Sequence, residues 1–238
     1  VLDADCSLEP TALRRLDAAL MEAEAAQAAR VPRNPLAGPA ATVAAVGSEI
    51  ENAVSAGRDR LGWGVPLRGS GMAFRRALLE RVRWRCVGLV EDAEYTAALA
   101  RAGVRVRFVA DAVVFGEVPA DAATLTRQRT RWRAALTCGG PGRLSRWLAS
   151  KPLVLGQLVM TVVVVGGLSP GAPGFVAWTG VLLALTAAVY LRAMRRSGGT
   201  RGIAAAASLV VRLAGVTLLG PFDRGRVWER TPRASRVS

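Results

Sequence analysis

The chain has 238 residues, 32 Lys plus Arg against 18 Asp plus Glu, a net charge of +14 and no histidine. The missing imidazole excludes histidine-ligated metals, Ser-His-Asp triads and histidine general bases, so acid/base chemistry falls to Asp or Glu. Cys6, Cys86 and Cys138 are far apart and odd in number, which excludes a zinc spacing or a disulfide framework and fits a reduced setting.

Val1-Leu2-Asp3-Ala4-Asp5 reads as the end of a buried strand presenting two carboxylates. Alternate residues of a strand share a face, so Asp3 and Asp5 point together. Two hard oxygen donors suit Mg²⁺ or Mn²⁺. The chain also starts inside a folding unit, because nothing precedes that strand. Residues 10–30 are predicted as one helix, opened by Pro10 and Thr11 and rich in Ala, Leu and Glu. Pro32, Asn34, Pro35, Gly38 and Pro39 mark residues 31–41 as a loop. A second helix covers 42–60 and breaks at Gly62-Trp63-Gly64-Val65-Pro66. Arg68-Gly69-Ser70-Gly71 is a turn into a short strand through Phe74, its small residues permitting close backbone approach to a ligand.

A helix is predicted over 75–83 and another over Glu91–Ala102, capped by Gly103. Glu91 and Asp92 open the latter. Val104–Ala110 alternates as a strand, and Val113-Val114-Phe115 is a further short apolar run. In the helix predicted over 121–136, Gln128, Arg131 and Trp132 stand at i, i+3 and i+4 and share one face.

The composition then turns apolar. Pro152–Leu168 and Phe175–Leu191 are uncharged runs of about 17 residues each, near the lower limit for spanning a bilayer. Arg143, Arg146 and Lys151 precede the pair, Arg192 and Arg195 follow it, and the turn between carries no charge. The positive-inside rule places both ends in the cytoplasm. A third run, Ile203–Phe222, contains Arg212, whose transfer to mid-bilayer costs roughly 2.5–3.5 kcal/mol. An interfacial or re-entrant helix is favoured over a third span. The arginines are scattered or flank apolar runs, without the clustered basic face and aromatic platforms of a nucleic-acid binder.

Asp3-x-Asp5, Gly69-Ser70-Gly71-Met72, Glu91-Asp92 and Gln128-Arg129-Thr130-Arg131-Trp132, in that order ahead of a membrane hairpin, resemble the membrane-bound family 2 glycosyltransferases. Relatives include cellulose, hyaluronan and poly-N-acetylglucosamine synthases. Trp228-Glu229-Arg230-Thr231-Pro232-Arg233 looks like the tail motif of many such enzymes. The resemblance implies an α/β fold: a partial GT-A (Rossmann-like) domain over 1–136, truncated at its amino end, then transmembrane and interfacial α-helices. An interfacial linker over 137–151, a hairpin over 152–192, a hydrophobic helix over 203–222 and a basic tail over 223–238 complete the plan. It further implies a metal at Asp3 and Asp5, Asp92 as general base, and Gln128, Arg131 and Trp132 closing over donor and acceptor. Gly69, Ser70 and Gly71 lie on the acceptor side. The implied reaction is metal-dependent, inverting sugar transfer from a nucleotide-sugar donor to a glycan or lipid-linked acceptor. It runs at the cytoplasmic face of the plasma membrane, in a multi-pass protein. The absent first half-domain implies that this fragment is itself inactive. The competing reading is a non-catalytic, membrane-anchored remnant or scaffold.

Overall fold

The computed structural model describes residues 1–85 and 91–137, with five further helical positions at 184, 188, 191, 192 and 195. The elements are β1 (Ser7–Leu8), α1 (Ala12–Glu22), β2 (Ala25–Pro32), α2 (Pro39–Arg60), β3 (Met72–Phe74), α3 (Arg76–Arg81), α4 (Glu91–Arg101), β4 (Val106–Gly116) and α5 (Ala122–Thr137). The strands form a four-stranded mixed sheet in the order β1-β4-β2-β3. β2 and β4 run parallel at its centre, and β1 and β3 flank them antiparallel. This is an α/β architecture, as expected.

The largest departure from the sequence reading is β2. Residues 10–30 do not form one helix: α1 stops at Glu22, and Ala25–Pro32 is the central strand. Alanine's helix preference is worth only a few tenths of a kcal/mol per residue over most residues, and tertiary burial overrides it. Here Ala26 and Ala28 pack against Ala12 and Leu16 of α1. On the other face, Ala25 and Ala29 meet Leu67, Tyr95 and Leu99. A strand covered on both faces reads as a continuous apolar run without alternation. Its small side chains let the layers come close.

The two predicted runs 104–110 and 113–115 are one strand, β4. Its register against β2 jumps between Ala28, opposite Val109, and Ala29, opposite Val113. The inserted residues form a bulge, exposed at Ala110 and Asp111. Val1-Leu2 is not a buried strand end either. Val1 is 66% exposed and lies along the outer edge of β3, where its carbonyl accepts the N–H groups of Gly71 and Met72. The helices predicted over 42–60, 75–83, 91–102 and 121–136 appear as α2, α3, α4 and α5, with ends moved by a few residues. Gly103 takes φ +71° after α4, as a helix-ending glycine does.

The apolar runs predicted to enter the membrane, the linker beyond 137 and the tail fall outside the described residues. Among the described residues, no helix is long and apolar enough to cross a membrane.

One buried polar residue ties the layers together. Gln27 is 0% exposed on β2. Its Oε1 accepts the Arg68 N–H at 3.0 Å, and its Nε2 donates to the Ser70 carbonyl at 2.9 Å. Replacing Gln27 with Leu leaves both backbone groups buried without this partner. The variant is expected to lose about 2–4 kcal/mol of stability in denaturant unfolding. A loss below about 0.5 kcal/mol would show that the amide does not hold the loop.

Candidate active site

The carboxyl ends of the parallel strands lie together, Pro32 opposite Gly116. Open α/β sheets bind ligands beyond this edge. Three segments converge there: the turn Asp3–Cys6, the loop Leu67–Gly71 and the first turn of α4.

Asp3 and Asp5 sit in a turn, not on one strand face, and the Cys6 N–H closes that turn onto the Asp3 carbonyl at 3.0 Å. The turn still gathers its donors. One ligand atom from each of Asp3, Asp5 and Cys6 lies within 4.8 Å of the others. Two carboxylates at that separation fit a hard divalent cation, with the sulfur a softer neighbour.

Ser70 fixes the turn from below. It is 0% exposed and its hydroxyl accepts the Asp3 N–H at 3.2 Å, while the Cys6 thiol donates to Asp5 Oδ1 at 3.8 Å. The glycines on either side are required by geometry. Gly71 has φ +75°, and a Cβ there would stand 2.6 Å from Val114 Cγ2 and 2.9 Å from Ala28 Cβ. Gly69 has φ +72° and brings its backbone against Asp92, whose Oδ2 would lie 3.7 Å from a Cβ at position 69. The expected acceptor-side segment therefore touches both the paired acids and the candidate base.

α4 is locked to the same loop. Thr96 Oγ1 accepts the Leu67 N–H at 2.9 Å and donates to the Asp92 carbonyl at 2.7 Å. This sets the first turn of α4 beside Gly69. Asp92 is half-buried, and that burial raises its carboxyl above the usual range. The Ala93 N–H, accepted by Oδ1 at 2.7 Å, pulls it down, Glu91 pushes it up again, and Arg30 opposes. Asp3 is exposed as a whole residue, yet its carboxyl is raised too. Partial desolvation is the main cause, Arg30 acts against it, and Asp5 and Glu91 add to the rise.

Arg30 and Cys6 were missed as site residues by the sequence reading. Arg30 fell inside the expected helix; as a strand residue it stands at the carboxyl end of β2. Its guanidinium lies 3.7 Å from where a Cβ on Gly116 would be, and Cys6 Sγ lies 3.1 Å from the same point. The signal was the buried run Ala25–Ala29 ending in Arg30, Val31 and Pro32, which is too short and too tightly bounded for a helix of its own.

Gln128 belongs to none of these three segments. It lies on α5, which packs on α2 through Leu125 against Ala40 and Ala44. Arg131 and Trp132 belong to the same helix, with side chains outside the described residues.

The chain matches the sequence family described as "Glycosyl transferase family group 2" over residues 1–216. No curated protein matches it.

Burial is also the main influence on Cys6 and pushes its thiol up. The thiolate is the reactive form, so alkylation at neutral pH is expected to lag behind that of a free cysteine and to accelerate only in more alkaline solution. Mass spectrometry of the Cys6 peptide after iodoacetamide treatment reads this directly. Alkylation at the free-cysteine rate would contradict the partly buried placement of the sulfur.

Proposed function

We propose that this chain, which belongs to glycosyl transferase family group 2, carries an inverting, metal-dependent glycosyltransferase site of GT-A type. Membership makes the reaction transfer from a nucleotide-sugar donor to an acceptor. The acceptor in this proposal is a glycan or a lipid-linked glycan. The apolar runs beyond residue 150 hold the site at the cytoplasmic face of the plasma membrane, with relatives among polysaccharide synthases.

The observation that carries the reading is the loop Leu67–Gly71. It touches the Asp3–Asp5 turn on one side and Asp92 on the other. A metal-binding pair and a proton acceptor thus share one rigid support, which is what displacement at an anomeric carbon needs. Asp3 and Asp5 would hold Mg²⁺ or Mn²⁺, which when bound neutralises charge on the departing diphosphate.

Asp92 takes the proton from the acceptor hydroxyl as that oxygen bonds the anomeric carbon. The bond from that carbon to the donor phosphate oxygen breaks, and its electron pair leaves with the diphosphate. Attack from the side opposite the leaving group inverts the centre. Burial suits Asp92 to this task, because a carboxylate with a raised pKa is a stronger base near neutral pH. In this proposal Gln128, Arg131 and Trp132 close over the donor and acceptor from α5.

Asp92→Asn is expected to lower kcat by roughly 10²–10⁴-fold with donor binding unchanged. Asp3→Asn and Asp5→Asn are expected instead to weaken metal-dependent donor binding. In the wild type, transfer falls as acid protonates Asp92, at a pH above the ordinary carboxylate range. Stability runs the other way. A raised folded pKa favours the protonated form, so this contribution is present at low pH and lost as pH rises through the folded value. Asp92→Asn should therefore melt at or above the wild-type temperature at neutral pH. Undiminished transfer by Asp92→Asn would remove it from the role of base.

A further inference from the structure

We propose that Arg30 is a donor-binding residue whose guanidinium contacts the diphosphate of the nucleotide sugar, an inference that rests on the glycosyltransferase reading above.

Strand β2 delivers this side chain from a rigid base. Asn52 of α2 accepts the Arg30 N–H at 3.3 Å and donates to the Arg30 carbonyl at 2.9 Å, fixing its backbone on both sides. Gly116 of β4, two residues beyond Val114, the register partner of Arg30, leaves room for the guanidinium to lie beside Cys6. From there it stands beside the Asp3–Cys6 turn, which the Cys6 N–H closes onto the Asp3 carbonyl at 3.0 Å.

Neighbouring arginines are committed elsewhere. Arg68 is mostly buried and bonds Asn52, Ser55 and the Glu51 carbonyl on α2. Arg33 donates to the Ser7 hydroxyl.

Charge balance supports the assignment. Asp3 and Asp5 of the turn, and Glu91 and Asp92 of the first turn of α4, bring four acids to this end of the sheet. A divalent ion offsets only part of that charge, and a nucleoside diphosphate adds more negative charge. A planar guanidinium can take two oxygens of a diphosphate at once. Arg30 is placed to offset charge on the leaving diphosphate without occupying the acceptor side at Asp92.

Calorimetric titration of the full chain tests this, with a panel of UDP, GDP, ADP, CDP and dTDP, each with Mn²⁺, and with Mn²⁺ alone. Arg30→Ala is expected to weaken binding of the preferred nucleotide by roughly 10- to 100-fold, the loss of a charged hydrogen-bonding partner. Arg30→Lys should recover part of it, since it keeps the charge and loses the fork. Affinity for Mn²⁺ alone should hold or tighten in Arg30→Ala, because a positive charge near Asp3 has gone. Unchanged nucleotide binding in Arg30→Ala would overturn the assignment and leave the glycosyltransferase reading standing. Parallel loss of metal and nucleotide binding in both variants would overturn it in favour of a structural role. If the wild type binds none of the nucleotides, the reading beneath it fails as well.

Discussion

The loop Leu67–Gly71 is held by hydrogen bonds from β2 and α4, and the candidate site depends on that grip. Gln27 binds Arg68 and Ser70 from the central strand, Thr96 binds Leu67 from α4, and Ser70 passes the hold on to Asp3. A polar amide in a fully buried strand costs free energy unless its partners are in place. Both ends of the Gln27 amide are satisfied by the loop, so core and loop form as one unit. The acids at the chain start and the acid on α4 are distant in sequence; this loop is where they meet. Gly69 and Gly71 let it pass close, since both take positive φ and Gly71 lies against Val114 and Ala28.

The electrostatics follow from that convergence. Crowded carboxylates and partial burial raise Asp3 and Asp92, and Arg30 works against both shifts. Carboxylates therefore crowd this end of the sheet. Asp92 is raised mainly by burial, with Glu91 adding to the rise.

Much of this was legible before the fold. Asp3, Asp5, the Gly-Ser-Gly loop and Asp92 stand out as residue types suited to the chemistry, and the structure brings them to one end of the sheet. What sequence patterns could not supply was the strand that supports them. Ala25–Ala29 carries alanines that favour helix locally, and only burial against α1 on one face and α4 on the other makes the run a strand. Gln27 and Arg30 were hidden with it, because residues inside an assumed surface helix suggest no role. The Asp-x-Asp spacing suggested a shared strand face, whereas a turn tied to Ser70 performs the gathering. The bulge in β4 likewise split one strand into two apparent runs, because Ala110-Asp111-Ala112 interrupts the alternation.

The central claim is that one end of the sheet holds metal, diphosphate and base together. Anomalous diffraction from crystals of the full chain grown with Mn²⁺ and its preferred nucleoside diphosphate tests it most directly. The account predicts one manganese peak bounded by Asp3 and Asp5, the diphosphate between it and Arg30, and Asp92 facing open space for an acceptor. An ordered nucleotide with its manganese elsewhere, or with Asp92 turned away from the diphosphate, would contradict it.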